Sequence, residues 1–159
     1  MKRAIEGYGA GESEDHKALK EYVACNPRVI GLSAGIPAGV TEYSLPSGDS
    51  LDVSFISKTV WVAAEIKSAV SGESDIVRGL FQCVKYRAVM DAVLLAKARP
   101  QIARVILVLE STFPQSLIPL RNLLGIEVVD GITPQTSDRQ FDIVHSAEKI
   151  EKVELVSLI

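Results

Sequence analysis

The sequence predicts an α/β domain in which a mixed β-sheet is flanked by helices. Residues 50–67 alternate in the manner of two neighbouring strands, and residues 75–97 repeat apolar side chains at helical spacing. Residues 103–129 follow the order strand, helix, strand, which implies a parallel pair that extends an antiparallel hairpin. The chain has 159 residues, of which 47% are hydrophobic, and this is enough for one core. We therefore predict a single domain over residues 1–159.

The first helix is expected to begin at Glu12 or Ser13 and to end near Ala24, before a proline that cannot continue it. Residues 1–11 contain glycine and are predicted to be a loose lead-in. Residues 29–47 carry glycine and proline at several points, so we expect a strand or hairpin that leads into the next strand. These glycines form neither a GxGxxG pattern nor a GK[ST] loop, so the sequence gives no support for a site that binds ATP or NAD.

One face of this helix carries Glu12, His16, Leu19 and Val23 at the helical period. Because Leu19 and Val23 should pack on the core, Glu12 would reach toward the sheet from the same side. The helix dipole also favours an acid at an N-terminus, and Glu14 is the alternative for any role of Glu12. His16 is interpreted as a half-buried helix residue rather than as a ligand or a base.

The strand at residues 59–67 ends in an acid and a base on one face. Glu65 and Lys67 are two residues apart, about 6 to 7 Å along a strand. A purely structural strand seldom carries both at the buried end of so apolar a run. The remaining side chains divide between the faces, with Trp61 and Ala63 beside Glu65 and Lys67, and Val60, Val62, Ala64 and Ile66 opposite.

Asp52 lies on the preceding strand, and a short turn near residues 56–59 would pair the two strands and bring Asp52 and Glu65 together. Two carboxylates at one site repel unless a cation lies between them or one is protonated. Magnesium characteristically uses one or two protein carboxylates, so these acids predict a magnesium site. Asp49 is the alternative acid, although it falls in a turn-like segment. Alternation places Leu51, Val53 and Phe55 on one side of this strand and Asp52 on the other.

The segment 75–97 is predicted to be a helix that Asp75 caps. Gln82 and Tyr86 are four residues apart and are therefore neighbours on one face. That face would lie over the end of the sheet that carries Lys67. The predicted apolar stripe consists of Ile76, Val77, Leu80, Phe81, Val84 and Ala88.

The order Asp52, then Glu65-Ile66-Lys67, then Gln82 and Tyr86 resembles the PD-(D/E)xK nuclease superfamily. The resemblance is to the branch with a QxxxY motif on the helix after the catalytic strand, and it covers residues 12–110. An ExK triplet alone arises by chance in many proteins, whereas the ordered set on these elements is much more specific. No proline precedes Asp52, which is a departure from the motif that many family members share.

This resemblance implies a restriction-endonuclease-like three-layer fold and a metal-dependent nuclease that hydrolyses phosphodiester bonds, with DNA favoured as the substrate. Asp52, Glu65 and the backbone carbonyl of Ile66 would hold Mg²⁺ or Mn²⁺. Lys67 would orient the attacking water or stabilise the developing charge. The two motif residues on the helix would position the water, Lys67 or a phosphate oxygen by hydrogen bonding. The implied catalytic residues are Asp52, Glu65, Lys67, Gln82, Tyr86 and Glu12.

The net charge of −3 argues against a polyanionic partner, but the charges are unevenly distributed. Residues 58–104 hold eight Lys or Arg against four acids, whereas residues 1–57 hold five against eight and residues 105–159 hold four against eight. The basic excess coincides with the proposed catalytic strand and helix, where phosphate would approach. A solvated helix face explains the same charges equally well. The candidate contacts to a nucleic-acid backbone are Arg78, Lys85 and Arg87.

Residues 103–110 are apolar enough for a strand that is buried on both faces. Residues 114–125 are predicted to form a helix that Gly125 ends, and residues 126–129 a short strand. From Gly131 onward the sequence does not choose between an edge strand, a helix and a subunit contact.

The chain has neither an apolar run of membrane-spanning length nor a signal-peptide core, so no membrane partner is expected. Cys25 and Cys83 are too few for a disulfide framework or a zinc site, which fits a cytoplasmic location. Both are interpreted as small core residues. A homodimer is favoured if both strands of a duplex are cut.

Two alternatives from other classes remain open. A catalytically inactive nuclease-fold subunit would bind nucleic acid or a partner within a repair or defence complex, but it would have no reason to keep repelling carboxylates together. An ordinary structural domain would carry Glu65 and Lys67 as a surface ion pair, with Gln82 and Tyr86 as incidental helix residues.

Overall fold

A computed structural model gives the fold of this chain and describes residues 13–135. The strands are β1 (Val40–Ser44), β2 (Ser50–Ile56), β3 (Val60–Lys67), β4 (Ile102–Leu109) and β5 (Glu127–Val129). They form one five-stranded sheet in the order β1-β2-β3-β4-β5. The first three strands pair antiparallel, whereas β3, β4 and β5 pair parallel. The predicted mixed sheet, built from a hairpin and a parallel extension, is confirmed.

Helices cover both faces of the sheet in residues 13–135, namely α1 (Glu14–Cys25), α2 (Glu73–Ala96) and α3 (Ile118–Leu124). The apolar side of α1 packs on one face, and α2 and α3 contribute to the cluster on the other. The result is a helix–sheet–helix arrangement of three layers, as predicted. None of these helices combines the length and the apolar content that a membrane crossing requires.

The first helix begins directly after Ser13, whose hydroxyl accepts a hydrogen bond from the backbone N–H of His16 at 3.2 Å. Its bounds agree with the predicted ones, and Leu19 and Val23 are fully buried. Glu12 lies outside the described residues, so its expected place near a metal stays a prediction.

Residues 29–47 form less sheet than the sequence predicts. A 3₁₀ turn covers Pro27–Ile30, and the next strand begins only at Val40. Just before it the chain passes tightly over β2, because a Cβ at Gly39 would lie 2.7 Å from the side chains of Val53 and Phe55. Glycine here permits the close approach, so this segment covers the sheet instead of extending it.

The two faces of the sheet bury two separate apolar clusters. Leu51 packs in the cluster under α2, whereas Val53 and Phe55 pack in the cluster under α1. The prediction that these three side chains share one side is wrong, because the alternation of β2 breaks at Asp52. On β3 the alternation holds as predicted, with Trp61 and Ala63 in the cluster under α2 and Val62, Ala64 and Ile66 in the cluster under α1.

The helix α2 faces the sheet with a different set of residues from the predicted stripe. Phe81 and Ala88 are exposed, so the prediction is wrong for both. The helix is rotated so that the small Gly79 and Cys83 face the sheet, which lets the helix approach β3 and β4 closely. The helix begins at Glu73, two residues earlier than predicted, and its N-cap is Gly72. Asp75 still helps to cap it, from the first turn, since its carboxylate accepts a hydrogen bond from the backbone N–H of Gly72 at 3.4 Å. The buried residues of α2 are Ile76, Gly79, Leu80, Cys83, Tyr86, Met90 and Leu94.

The helix α3 ends where the sequence predicts, at Gly125, whose φ of +62° suits glycine. Arg87 of α2 donates to the carbonyls of Leu124 and Gly125 at 3.4 and 3.3 Å, so it ties the two helices together. Cys83 is buried, but Cys25 is exposed, and its interpretation as a core residue is wrong.

Candidate active site

The end of β3 that faces α2 carries a carboxylate and an ammonium in direct contact. Lys67 Nζ donates to Glu65 Oε1 at 2.7 Å, and Glu65 is only 3% exposed. β3 is the middle strand and pairs with β4 along its whole length, Lys67 included, so both side chains project from a rigid support. This is a buried charge pair, so the alternative of a surface ion pair is wrong.

Asp52 reaches the same strand from β2, at an irregularity in the sheet. Its Oδ2 accepts a hydrogen bond from the backbone N–H of Ile66 at 2.8 Å. β2 and β3 pair only from Val53 and Ala64 onward, and Leu51 faces the layer opposite to that of Val53. The carboxylate therefore lies between the two strands rather than above either face. Asp52 is near enough to Glu65 for its negative charge to raise the pKa of Glu65.

A second charged pair, which the sequence did not single out, lies beside Asp52. The register of β1 against β2 puts Glu42 across from Asp52, and Glu42 has a φ of +52°, a conformation that L-residues rarely adopt. Its carboxylate bonds Lys20 Nζ and accepts a hydrogen bond from Ser50 Oγ at 3.0 Å. The only signal for this pair in the sequence is that Lys20 follows His16 by one helical turn on α1.

His16 is half-buried, as predicted, and the structure adds that it lies next to the site. Its Nε2 is 3.8 Å from Asp52 Oδ2. A cavity of about 540 Å³ opens here between α1, the β1–β2 hairpin and the loop that leads into α2. Its polar lining includes His16, Lys20, Glu42 and Asp52. Asp52 thus borders an open space, whereas Glu65 and Lys67 are not part of its lining.

Gln82 and Tyr86 extend the site along α2, on the face that the sequence predicts. Lys67 Nζ donates to Gln82 Oε1 at 3.5 Å, and Gln82 Nε2 donates to the hydroxyl of Tyr86 at 3.3 Å. A hydrogen-bonded chain therefore runs from Glu65 through Lys67 to the helix. Burial and the nearby Glu65 carboxylate raise the pKa of Tyr86, which keeps the phenol protonated.

The charge on Glu65 is held in an unfavourable place. Burial and, after it, the neighbouring Asp52 carboxylate raise the pKa of Glu65 to about 7, although Lys67 and His16 oppose the shift. Burial also raises the pKa of the Cys83 thiol, with Glu65 adding to the effect, so this thiol is not a nucleophile. Ionising Glu65 in this buried place costs free energy, and a cation bound to its carboxylate would offset that cost.

The donor atoms at this site suit a hard divalent cation. Two carboxylates and the carbonyl of Ile66 are oxygen donors, the kind that Mg²⁺ and Mn²⁺ prefer. In residues 13–135 no group of three or more His, Cys, Asp or Glu side chains is arranged to hold a metal.

The three candidate phosphate contacts differ in what their side chains do. Arg78 is exposed and pairs with Asp75, and Lys85 is exposed and pairs with Asp49 at 2.7 Å. Arg87 is engaged with the end of α3, which favours a structural role for it. The Lys85 ammonium holds the pKa of Asp49 below its ordinary value. Asp49, the alternative acid, lies in the β1–β2 turn and its carboxylate bonds Lys85. Asp52, by contrast, bonds the backbone of β3.

The raised pKa of Glu65 predicts how the stability of the metal-free protein depends on pH. Its pKa in the folded protein, about 7, exceeds its ordinary value of 4.5, so the folded state binds this proton more tightly than the unfolded chain. The stabilisation is therefore complete below the ordinary value and is lost as pH rises through about 7, by at most on the order of 3 kcal/mol. In EDTA, Glu65→Gln should lack this loss, so its stability relative to wild type should increase with pH. Denaturant unfolding at both ends of this range measures it, and parallel pH profiles would contradict a buried, repelled carboxylate.

The fold has counterparts among solved structures. No family model and no curated protein matches the chain. A chain from an EndoMS–dsDNA complex matches 84% of this chain with a TM-score of 0.52 and 18% identity, and 51% of that chain, about half its length, is covered. An XisH family protein from Nostoc punctiforme matches 73% of this chain and is itself covered over 88%, with a TM-score of 0.42 and 15% identity, too low to support an inference. The restriction-endonuclease-like α/β fold expected from the sequence is confirmed.

Proposed function

We propose that this chain is a metal-dependent nuclease of the PD-(D/E)xK type that hydrolyses phosphodiester bonds, with DNA as its substrate. The observation that carries the proposal is the buried Glu65–Lys67 pair on the middle strand, with Asp52 bonded to the peptide between them. A structural domain gains nothing from two mutually repelling carboxylates, since burying charge without a cation is costly. The similarity in fold to a chain that is complexed with dsDNA favours DNA over RNA.

Asp52, Glu65 and the carbonyl of Ile66 would hold Mg²⁺ or Mn²⁺. Oδ2 of Asp52 is engaged with β3 and Oε1 of Glu65 with Lys67, so the second oxygen of each carboxylate can be offered to a cation. A bound cation supplies a water of lowered pKa and offsets the charge that builds on the phosphate.

Lys67 is the residue that would act on the attacking water or on the charged phosphate oxygen. Glu65 and Gln82 both accept hydrogen bonds from its ammonium, so its position is fixed before a substrate arrives. Tyr86 in turn contacts Gln82 and keeps its own proton. The role of these two helix residues is therefore to hold Lys67 in place.

The proposal is tested by incubating the purified protein with supercoiled and linear plasmid, labelled single strands and a four-way junction, each with Mg²⁺, Mn²⁺ or EDTA. We expect cleavage in the presence of either metal and none in EDTA. Cleavage of the supercoiled plasmid, which has no ends, would show internal cutting, whereas cleavage of linear DNA alone would show cutting from ends. Failure to cut any substrate, together with no stabilisation by metal, would favour the inactive nucleic-acid-binding or interaction subunit.

Gly79 lies where α2 passes close to Lys67 of β3, so a larger residue there is expected to disturb the site. A Cβ at this position would lie 2.9 Å from Lys67 Cε and 2.9 Å from Leu107 Cδ1. Gly79→Ala should therefore displace Lys67 and lower the cleavage rate by about 10-fold or more, since small displacements of a catalytic group are costly. Its helix content, measured by circular dichroism, should be retained because alanine favours helix. Gly72→Ala, where no atom lies within 4 Å of the new Cβ, is the matched control; equal rates for the two variants would contradict the prediction.

A further inference from the structure

Phe81 is an aromatic side chain that the fold leaves in solvent. It is 52% exposed in the middle of α2, although its neighbours Leu80 and Cys83 are fully buried. Phenylalanine is among the residues most often buried, so an exposed ring has a face available for a partner. Exposure alone would not identify that partner, because single apolar residues are common on protein surfaces.

The groups beside Phe81 identify the chemistry of its partner. Arg78 and Lys85 precede and follow it by three and four residues, so all three side chains lie on one face of the helix. Arg78 and Lys85 have side chains that are 68% and 58% exposed. Their partners Asp75 and Asp49 form ion pairs at the surface, which contribute little and can be exchanged for phosphate. An aromatic ring between two exchangeable cations suits a planar base on a phosphate backbone.

This surface is continuous with the candidate active site. At 3.6 residues per turn, Arg78, Lys85 and Phe81 lie roughly 40°, 60° and 100° around the helix axis from Gln82, all in the same direction. Gln82 is bonded to Lys67. Phe81 therefore lies farther around the helix from Lys67 than either cation does, with Arg78 toward the N-terminal end of the helix and Lys85 toward the C-terminal end.

We propose that the outer face of α2 binds an unpaired, single-stranded segment of the substrate, with one base stacked on Phe81 and adjacent phosphates on Arg78 and Lys85. The inference rests on the proposed action on nucleic acid and specifies its substrate class. A base inside a duplex is already stacked on both faces, whereas an unpaired base can offer a free face to an aromatic side chain. Phe81 thus selects unpaired over paired strands.

The test is equilibrium binding in EDTA, where no cutting occurs, of a labelled single-stranded oligonucleotide and of its blunt duplex. Phe81→Ala should weaken single-strand binding by about 5- to 100-fold, the range for loss of one stacked base, and duplex binding less than about 2-fold. Phe81→Trp should bind as tightly as wild type, whereas Phe81→Leu should resemble the alanine variant because it lacks an aromatic face. Leu95→Ala removes an exposed apolar side chain, 84% accessible, from the same helix and should change nothing.

Equal binding by wild type and Phe81→Ala, an equal loss on duplex, or no binding of any oligonucleotide would overturn the inference. Metal-dependent cleavage by wild type is assayed in parallel, so that failure of the stacking inference can be told from failure of the proposed nuclease function. If wild type cuts DNA but Phe81 has no effect on single strands, the inference alone fails. If wild type never cuts but the binding depends on Phe81, the stacking site stands and the nuclease proposal fails.

Discussion

Replacing Lys67 with methionine is expected to lower the rate of metal-dependent DNA cleavage by about 10²- to 10³-fold, the usual effect of removing one positioned charge donor. The ammonium is held by Glu65 and Gln82 at the end of the middle strand, so no other described side chain replaces it there. Methionine retains the apolar stem that packs beneath Gly79, which limits any change to the loss of the charge.

The rate is measured under single-turnover conditions with saturating metal, so that chemistry is separated from product release. Lys97→Met, at the exposed end of α2, removes a lysine far along the helix from the site and should cleave at the wild-type rate. A Lys67→Met rate within about 2-fold of that control would remove Lys67 from the mechanism.

Replacing Glu65 with glutamine is expected to abolish stabilisation of the protein by Mg²⁺ or Mn²⁺. A cation that binds only the folded state at a hundred times its dissociation constant adds about 2.7 kcal/mol, or roughly 5–10 °C in Tm for a chain of this size. The amide of glutamine cannot provide the negative charge, so the shift in Tm should disappear, and Asp52→Asn should reduce it as well.

Thermal unfolding with metal and with EDTA measures this effect. Glu21→Gln, which changes an exposed acid of α1, is the control and should keep the full shift. A shift in Glu65→Gln equal to that of the control would mean that the cation binds elsewhere in the chain.

The Glu65–Lys67 side of the site is predictable from the sequence because a strand alternates with a strict period of two. The apolar residues of β3 leave no choice of face, so an acid and a base two residues apart must project together. The short turn after β2 likewise fixes an antiparallel pair, which brings Asp52 within reach of Glu65.

The position of the Asp52 carboxylate could not be predicted in the same way. It depends on an interruption of the alternation, with Leu51 and Val53 on opposite faces, and on the left-handed backbone of Glu42 on a different strand. Local patterns contain no signal for either feature, since both arise from contacts between strands and with Lys20 of α1. Non-local contacts of this kind also place His16 next to the acids.

The orientation of α2 about its own axis is a second feature that the pattern of hydrophobic residues did not predict. A count of apolar residues assigns Phe81 to the core, because phenylalanine contributes far more apolar surface than Gly79 or Cys83. The helix instead turns its small residues to the sheet, since close approach buries the larger side chains of β3 and β4. The same rotation brings Tyr86 into the core and leaves Phe81 outside.

The most direct test of the central claim, that Asp52 and Glu65 hold the catalytic cation, is cleavage of one labelled DNA across a Mg²⁺ titration, by wild type and by identically purified Glu65→Gln. We predict that wild-type cleavage rises to saturation with the same midpoint as the metal-induced increase in Tm, and that Glu65→Gln does not cut at any concentration. Cleavage by Glu65→Gln at the wild-type rate, or cleavage that persists in EDTA, would contradict the account.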